Sequence, residues 1–191
     1  MARIGRRTVL AAAGATLAFP AIHARAQASR GAALVIGNSR YQWEASLPNV
    51  KRDAPDIAKH FQAMGLKTEL VSDAGKGAMQ AAIERFAGAA KGANFAGFYF
   101  AGHGTQFKGQ TFLVPVDADL SSPKTDGLIV TTVANRACNG ARANFRIYDN
   151  CRNNPADGWQ QAEADDRSLV RNSHIATFVS QNPNSLAIFS T

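Results

Sequence analysis

A histidine and a cysteine each lie three residues beyond an apolar, aromatic run of the sequence. His103 follows residues 95–100, and Cys151 follows residues 145–148. Such runs predict buried strands of a parallel sheet, and reactive groups gather beyond the carboxyl ends of these strands. If the two strands are neighbours, both side chains emerge at the same edge. The spacing therefore predicts a nucleophilic thiol at Cys151 with His103 as its base and later acid.

Glycines surround the histidine, in the sequence Gly102-His103-Gly104. The backbone N–H groups of Gly104 and Cys151 could together bind the oxyanion of a tetrahedral intermediate. A zinc site would need more ligands than His103 and Cys151, and no spaced cluster supplies them, so we expect no metal. The alternative role for Cys151 is a disulfide with Cys138, 13 residues away. A predicted helix and strand between the two disfavour a direct bridge, but the pairing stays open.

The elements that must position these residues alternate along the chain. Short β-rich runs predict strands at 32–36, 67–71, 95–100, 111–114, 145–148 and 186–190. Helical spacing of apolar residues predicts helices at 50–64, 79–90 and 130–143. This order implies right-handed crossovers and a mostly parallel sheet with helices on both faces, which is an α/β fold of three layers.

Four segments carry a resemblance to a known family. They are 32–38 (AALVIGN), 47–54 (LPNVKRDA), 102–104 (GHG) and 149–155 (DNCRNNP). Together they resemble the caspase-like cysteine peptidases, and are most similar to the bacterial metacaspase and orthocaspase branch. The interval of 48 residues between His103 and Cys151 matches the caspase spacing of roughly 50. The resemblance covers residues 29–191 and implies the caspase-like fold and endopeptidase activity with no cofactor.

The metacaspase-like branch cuts proteins and peptides after Arg or Lys, and the resemblance implies the same substrates here. Its two substrate-binding acids are matched by Asp149 and Asp53, whose carboxylates would select a cation through charge-assisted hydrogen bonds. The alternatives are a strand-end cap for Asp149 and a helix N-terminal acid for Asp53. Threonines at 131–132 stand where calcium-dependent members carry acids, so calcium activation through that region is not expected.

Residues 1–28 predict a signal peptide, with adjacent Arg6 and Arg7 before a short apolar stretch and small-x-small cleavage sites near its end. The pair resembles a twin-arginine export signal, which implies a bacterial periplasmic or extracellular location. An uncleaved membrane anchor is the alternative. The formal charge of +7 would fall to +3 without the four arginines of this segment. We therefore expect no nucleic-acid partner, and no membrane partner after signal removal.

The catalytic domain predicted at 29–191 ends at the strand 186–190, whereas family members continue with a segment that helps build the substrate cleft. This difference keeps a second hypothesis open, a catalytically impaired caspase-fold module that binds proteins. A third is another thiol enzyme, such as an acyltransferase, built on the same dyad.

Overall fold

The computed structural model describes residues 30–150 and 183–190. In chain order the elements are β1 (Gly31–Gly37), α1 (Val50–Ala63), β2 (Leu66–Ser72), α2 (Lys76–Ala90), β3 (Phe95–Ala101), β4 (Gly104–Phe107), β5 (Gln110–Leu113), β6 (Ile129–Val130), α3 (Thr131–Cys138), β7 (Ala143–Asp149) and β8 (Ser185–Ser190). The predicted signal at 1–28 and the predicted nucleophile Cys151 lie outside the described residues.

Within residues 30–150 and 183–190 the main sheet has five strands in the order β2-β1-β3-β7-β8, and every neighbouring pair is parallel. Even-numbered residues of β1 and β3 form a core with α2 and α3, and odd-numbered residues form a second core with α1. Successive side chains of a strand point to opposite faces, so a strand covered on both faces must be apolar throughout. The structure confirms the predicted three-layer α/β fold.

The predicted α1 and α2 form because their apolar residues recur on one face of each helix. In α1 the buried residues are Val50, Ala54, Ala58 and Phe61. The helix ends where Gly65 adopts a φ of 83°, a left-handed conformation that glycine tolerates without strain. No helix in the described part of the chain is long and apolar enough to cross a bilayer.

The helix predicted at 130–143 is wrong at both ends, since α3 spans only Thr131–Cys138. Val130 pairs with Phe112 in a strand. At the other end, Gly140 breaks the helix and packs within 3.1–3.3 Å of the Lys91 backbone, measured from where its Cβ would be. The chain then turns directly into β7, which begins at Ala143.

A small antiparallel sheet, β4-β5-β6, was not predicted beyond the strand at 111–114. Its β4–β5 hairpin turns through Lys108 and Gly109, whose φ angles are 47° and 72°. Two-residue hairpin turns need positive φ at both positions, and Asn-Gly or Asp-Gly is their usual sequence. Because lysine is unusual at the first position of such a turn, the sequence did not predict the hairpin.

Candidate active site

Strands β3 and β7 are neighbours, as a shared catalytic edge requires. Phe100 is opposite Tyr148 and Ala101 is opposite Asp149 in the parallel register. Beyond the strands, the Gly102 N–H donates a hydrogen bond to the Asp149 carbonyl at 3.2 Å. The segment that carries His103 and the segment that ends at Asn150 therefore leave the sheet side by side. The structure describes the second segment as far as Asn150, which is buried.

The backbone of His103 is held on both sides. Its N–H donates to the Tyr41 hydroxyl at 2.7 Å, and its carbonyl accepts from the Val114 N–H at 3.0 Å. The Tyr41 ring also packs against the imidazole, with ring centroids 4.6 Å apart. Gly102 is needed beside this contact, because a Cβ there would meet the Tyr41 hydroxyl at 2.5 Å. Tyr41 thus fixes both the backbone and the ring of the predicted base.

The His103 side chain is oriented by a carbonyl from a distant segment. Its Nε2 lies 2.8 Å from the Ala45 oxygen. A carbonyl can only accept, so Nε2 carries the hydrogen in the neutral ring. Nδ1 is then the nitrogen with a lone pair, and it is the atom that can take a proton from a thiol. A histidine that acts as a general base through Nδ1 would need this tautomer.

Both Tyr41 and Ala45 belong to the loop between β1 and α1, residues 38–49, which we call the β1–α1 loop. Its first residue, Asn38, is fully buried and bonds the Ala74 N–H and carbonyl and the Val114 carbonyl through its amide. The Asp73 carboxylate then accepts from the Ser39 N–H at 2.7 Å and the Arg40 N–H at 2.9 Å. These bonds fix the start of the loop, and with it the positions of the two groups that contact the histidine.

The two predicted substrate-binding acids lie near one phenol. Asp149 is exposed at the end of β7, and its carboxylate accepts from the Tyr99 hydroxyl at 3.0 Å. Asp53, in the first turn of α1, pairs with Arg52 at 3.2 Å. The pKa of Tyr99 is raised well above its ordinary value. Burial is the largest cause, followed by the charge and hydrogen bond of Asp149 and then by the charge of Asp53. Both carboxylates therefore oppose the ionisation of the same hydroxyl.

Gly104, the second predicted oxyanion donor, is buried as the first residue of β4 and lies opposite Leu113. Its partner in the prediction, the Cys151 amide, lies outside the described residues. The oxyanion hole and the dyad itself stay predictions.

Cys138 is a free, fully buried thiol of α3, which argues against a disulfide to Cys151. Burial raises its pKa to about 12, with the charge of Arg146 acting in the opposite direction. A thiol that stays protonated at neutral pH is a poor nucleophile. Among the described residues no group of three or more His, Cys, Asp or Glu side chains could hold a metal ion.

Three residues of the site were not found from the sequence: Tyr41, Ala45 and Tyr99. Tyr99 could have been found, because strand alternation puts it on the same sheet face as Asp149, the acid that ends the neighbouring strand. Tyr41 and Ala45 could not, since a loop carbonyl and a loop phenol gain their roles only through the path of the loop.

A comparison with models of protein families identifies the family of the chain. The family model for the caspase domain matches residues 30–191, and the chain belongs to that family. At the level of the family it is a cysteine peptidase, a hydrolase that acts on protein substrates. A comparison with curated protein sequences finds no match.

Proposed function

We propose that the protein is a cysteine endopeptidase that uses a Cys151–His103 dyad and cleaves after Arg or Lys. The observation that carries the proposal is the register of β3 and β7, in which Ala101, two residues before His103, lies opposite Asp149, two residues before Cys151. Membership of the caspase domain family supports the reaction class. The exposed acid at the same edge, Asp149, supports the choice of substrate.

The orientation of His103 suggests how the reaction proceeds. Nδ1 takes the proton of the Cys151 thiol, and the thiolate sulfur attacks the carbonyl carbon of the scissile peptide. The tetrahedral intermediate collapses when the C–N bond breaks, and the imidazolium donates its proton to the leaving amine. Water then attacks the thioester, with His103 again as base, and releases the acid product and the thiol. No cofactor takes part in these steps.

The acids explain the proposed specificity. A guanidinium or ammonium group of the substrate would meet Asp149 at the end of β7, while Asp53 adds a second negative charge near the same phenol. Hydrogen bonds between oppositely charged groups are roughly twice as strong as those between neutral groups. Arg52, which now pairs with Asp53, is largely exposed and can turn into solvent when substrate enters.

The test is cleavage of fluorogenic peptides ending in Arg, Lys or Asp by the wild-type chain beside Cys151→Ala and His103→Ala. We expect cleavage after Arg and Lys, none after Asp, and loss of activity in both variants. Cleavage that survives in Cys151→Ala would contradict the dyad, and a preference for Asp would contradict the acidic pocket.

The reactivity of the thiol separates an enzyme from a binding module. A thiol paired with His103 should alkylate faster at pH 6–7 than free cysteine, and His103→Ala should remove the excess. No peptide cleavage together with an alkylation rate equal to that of free cysteine would overturn the catalytic proposal.

A further inference from the structure

The Tyr99 hydroxyl donates a hydrogen bond to the Asp149 carboxylate. Tyr99 lies on β3 opposite Ile147, so its ring points to the same sheet face as Asp149, one pleat further along β7. Tyr99 is 4% exposed, whereas Asp149 is exposed. A buried ring thus places its hydroxyl against the carboxylate that we propose binds the substrate cation.

We propose that Tyr99 is a positioning residue that holds the Asp149 carboxylate for the cationic side chain of the substrate and thereby determines the preference for Arg and Lys. This inference rests on the proposed function, because it assigns a role within the same pocket.

The first step of the argument concerns the orientation of the carboxylate. An exposed aspartate side chain samples several rotamers, and freezing it on substrate binding costs conformational entropy. The hydrogen bond from Tyr99 at 3.0 Å selects one orientation before substrate arrives. Since the phenol is packed among the residues that α1 covers, it cannot follow the carboxylate into solvent.

The second step concerns charge. Asp149 and Asp53 both act on the Tyr99 hydroxyl, which stays a neutral donor because burial and these two charges oppose its ionisation. A neutral donor orients the carboxylate without neutralising its charge. A lysine or arginine in the same place would instead neutralise the acid and compete with the substrate.

The test compares Tyr99→Phe with Tyr148→Phe on Arg and Lys peptides. Tyr148→Phe is the matched control, because its hydroxyl bonds the Asn135 amide oxygen at 2.7 Å on the opposite face of the sheet. Loss of a bond to a charged group predicts a rise in KM of roughly tenfold for Tyr99→Phe, with kcat within about twofold of wild type. Tyr148→Phe should leave KM unchanged.

Two further measurements separate positioning from a general loss of structure. The alkylation rate of Cys151 should be the same in wild type and Tyr99→Phe, because the hydroxyl bonds Asp149, which takes no part in the proposed proton transfer. In an Asp149→Asn background, Tyr99→Phe should raise KM no further, as expected when one residue acts through the other.

The outcomes distinguish this inference from the function on which it rests. Wild-type cleavage after Arg and Lys, with equal KM values for Tyr99→Phe and wild type, overturns the inference and leaves the proposed function standing. A tenfold rise in KM that persists in the Asp149→Asn background also overturns it. If the wild type cleaves no basic peptide, the proposed function fails and this inference falls with it.

Discussion

At the scale of single residues, the proposed base, His103, is oriented by groups from outside its own strand. His103 bonds the Tyr41 hydroxyl through its N–H, the Ala45 carbonyl through Nε2 and the Val114 N–H through its carbonyl. These contacts select the tautomer with a lone pair on Nδ1. Because catalysis depends on a near-attack geometry, losing one of them should affect the chemical step more than substrate binding.

Tyr41→Phe tests this arrangement by removing the acceptor of the His103 N–H. A partly buried amide without a partner costs about 1–3 kcal/mol, so the backbone at His103 should shift to regain a hydrogen bond. We expect kcat on an Arg peptide to fall by up to about 10²-fold with little change in KM. Tyr99→Phe offers the contrast, since it should raise KM and spare kcat. A wild-type kcat in Tyr41→Phe would show that Tyr41 does not position the base.

At the scale of elements, the distance between α1 and β1 determines where Asp53 lies. The two elements touch at Gly37, where a Cβ would lie 2.5 Å from the Ala54 Cβ and 3.2 Å from Val50 Cγ1. Asp53 directly precedes Ala54 in the chain. The first turn of α1 therefore cannot move away from the sheet without carrying the acid with it.

Gly37→Ala should push the first turn of α1 away from the end of β1. Overpacking of a close contact predicts a loss of about 1–3 kcal/mol in the free energy of unfolding, together with a lower kcat/KM for Arg peptides. Gly77→Ala is the matched control: it lies in α2 with nothing within 4 Å of its Cβ position. There alanine should stabilise by up to about 1 kcal/mol. Chemical denaturation measures both, and equal stability of the two variants would contradict the close contact.

At the scale of the whole molecule, the core on the α2 and α3 face contains a titratable group, Cys138. Burial raises the pKa of this thiol from 9.0 to about 12. Between these values the thiol ionises in the unfolded chain and stays protonated in the folded one. The unfolded state then binds fewer protons, so stability falls as pH rises, by about 1.4 kcal/mol per pH unit from this group. Below pH 9 its contribution is constant.

Cys138→Ala removes this dependence. The variant should be less stable than the wild type at pH 8, because a small apolar group is lost from the core, and the difference should shrink between pH 9 and 10.5. Denaturant unfolding at each pH measures the difference in the free energy of unfolding between the two proteins. The ionisation of the tyrosines, which both proteins share, cancels in this difference. Parallel stability curves across this range would show that Cys138 is not protected from ionisation.

The scope of sequence-based prediction follows from the range of the interactions involved. Alternating apolar runs and helical spacing are local patterns, and they predicted the parallel sheet, its two covered faces and the edge at which His103 lies. Local patterns failed at the end of α3, where a contact between Gly140 and the Lys91 backbone intervenes, and at the β4–β5 hairpin, where Lys108 adopts positive φ.

The amino-acid sequence by itself determined the fold class, the resemblance to caspase-like peptidases and the candidate residues His103, Cys151, Asp149 and Asp53. Only the tertiary structure decided which groups orient them: Tyr41 and Ala45 for the histidine, and Tyr99 for Asp149. Strand and helix periodicity arises from neighbours along the chain, so it can be read from composition and spacing. The orienting contacts join residues about 50 to 62 positions apart, and they exist only once the β1–α1 loop and the parallel register have brought those residues together.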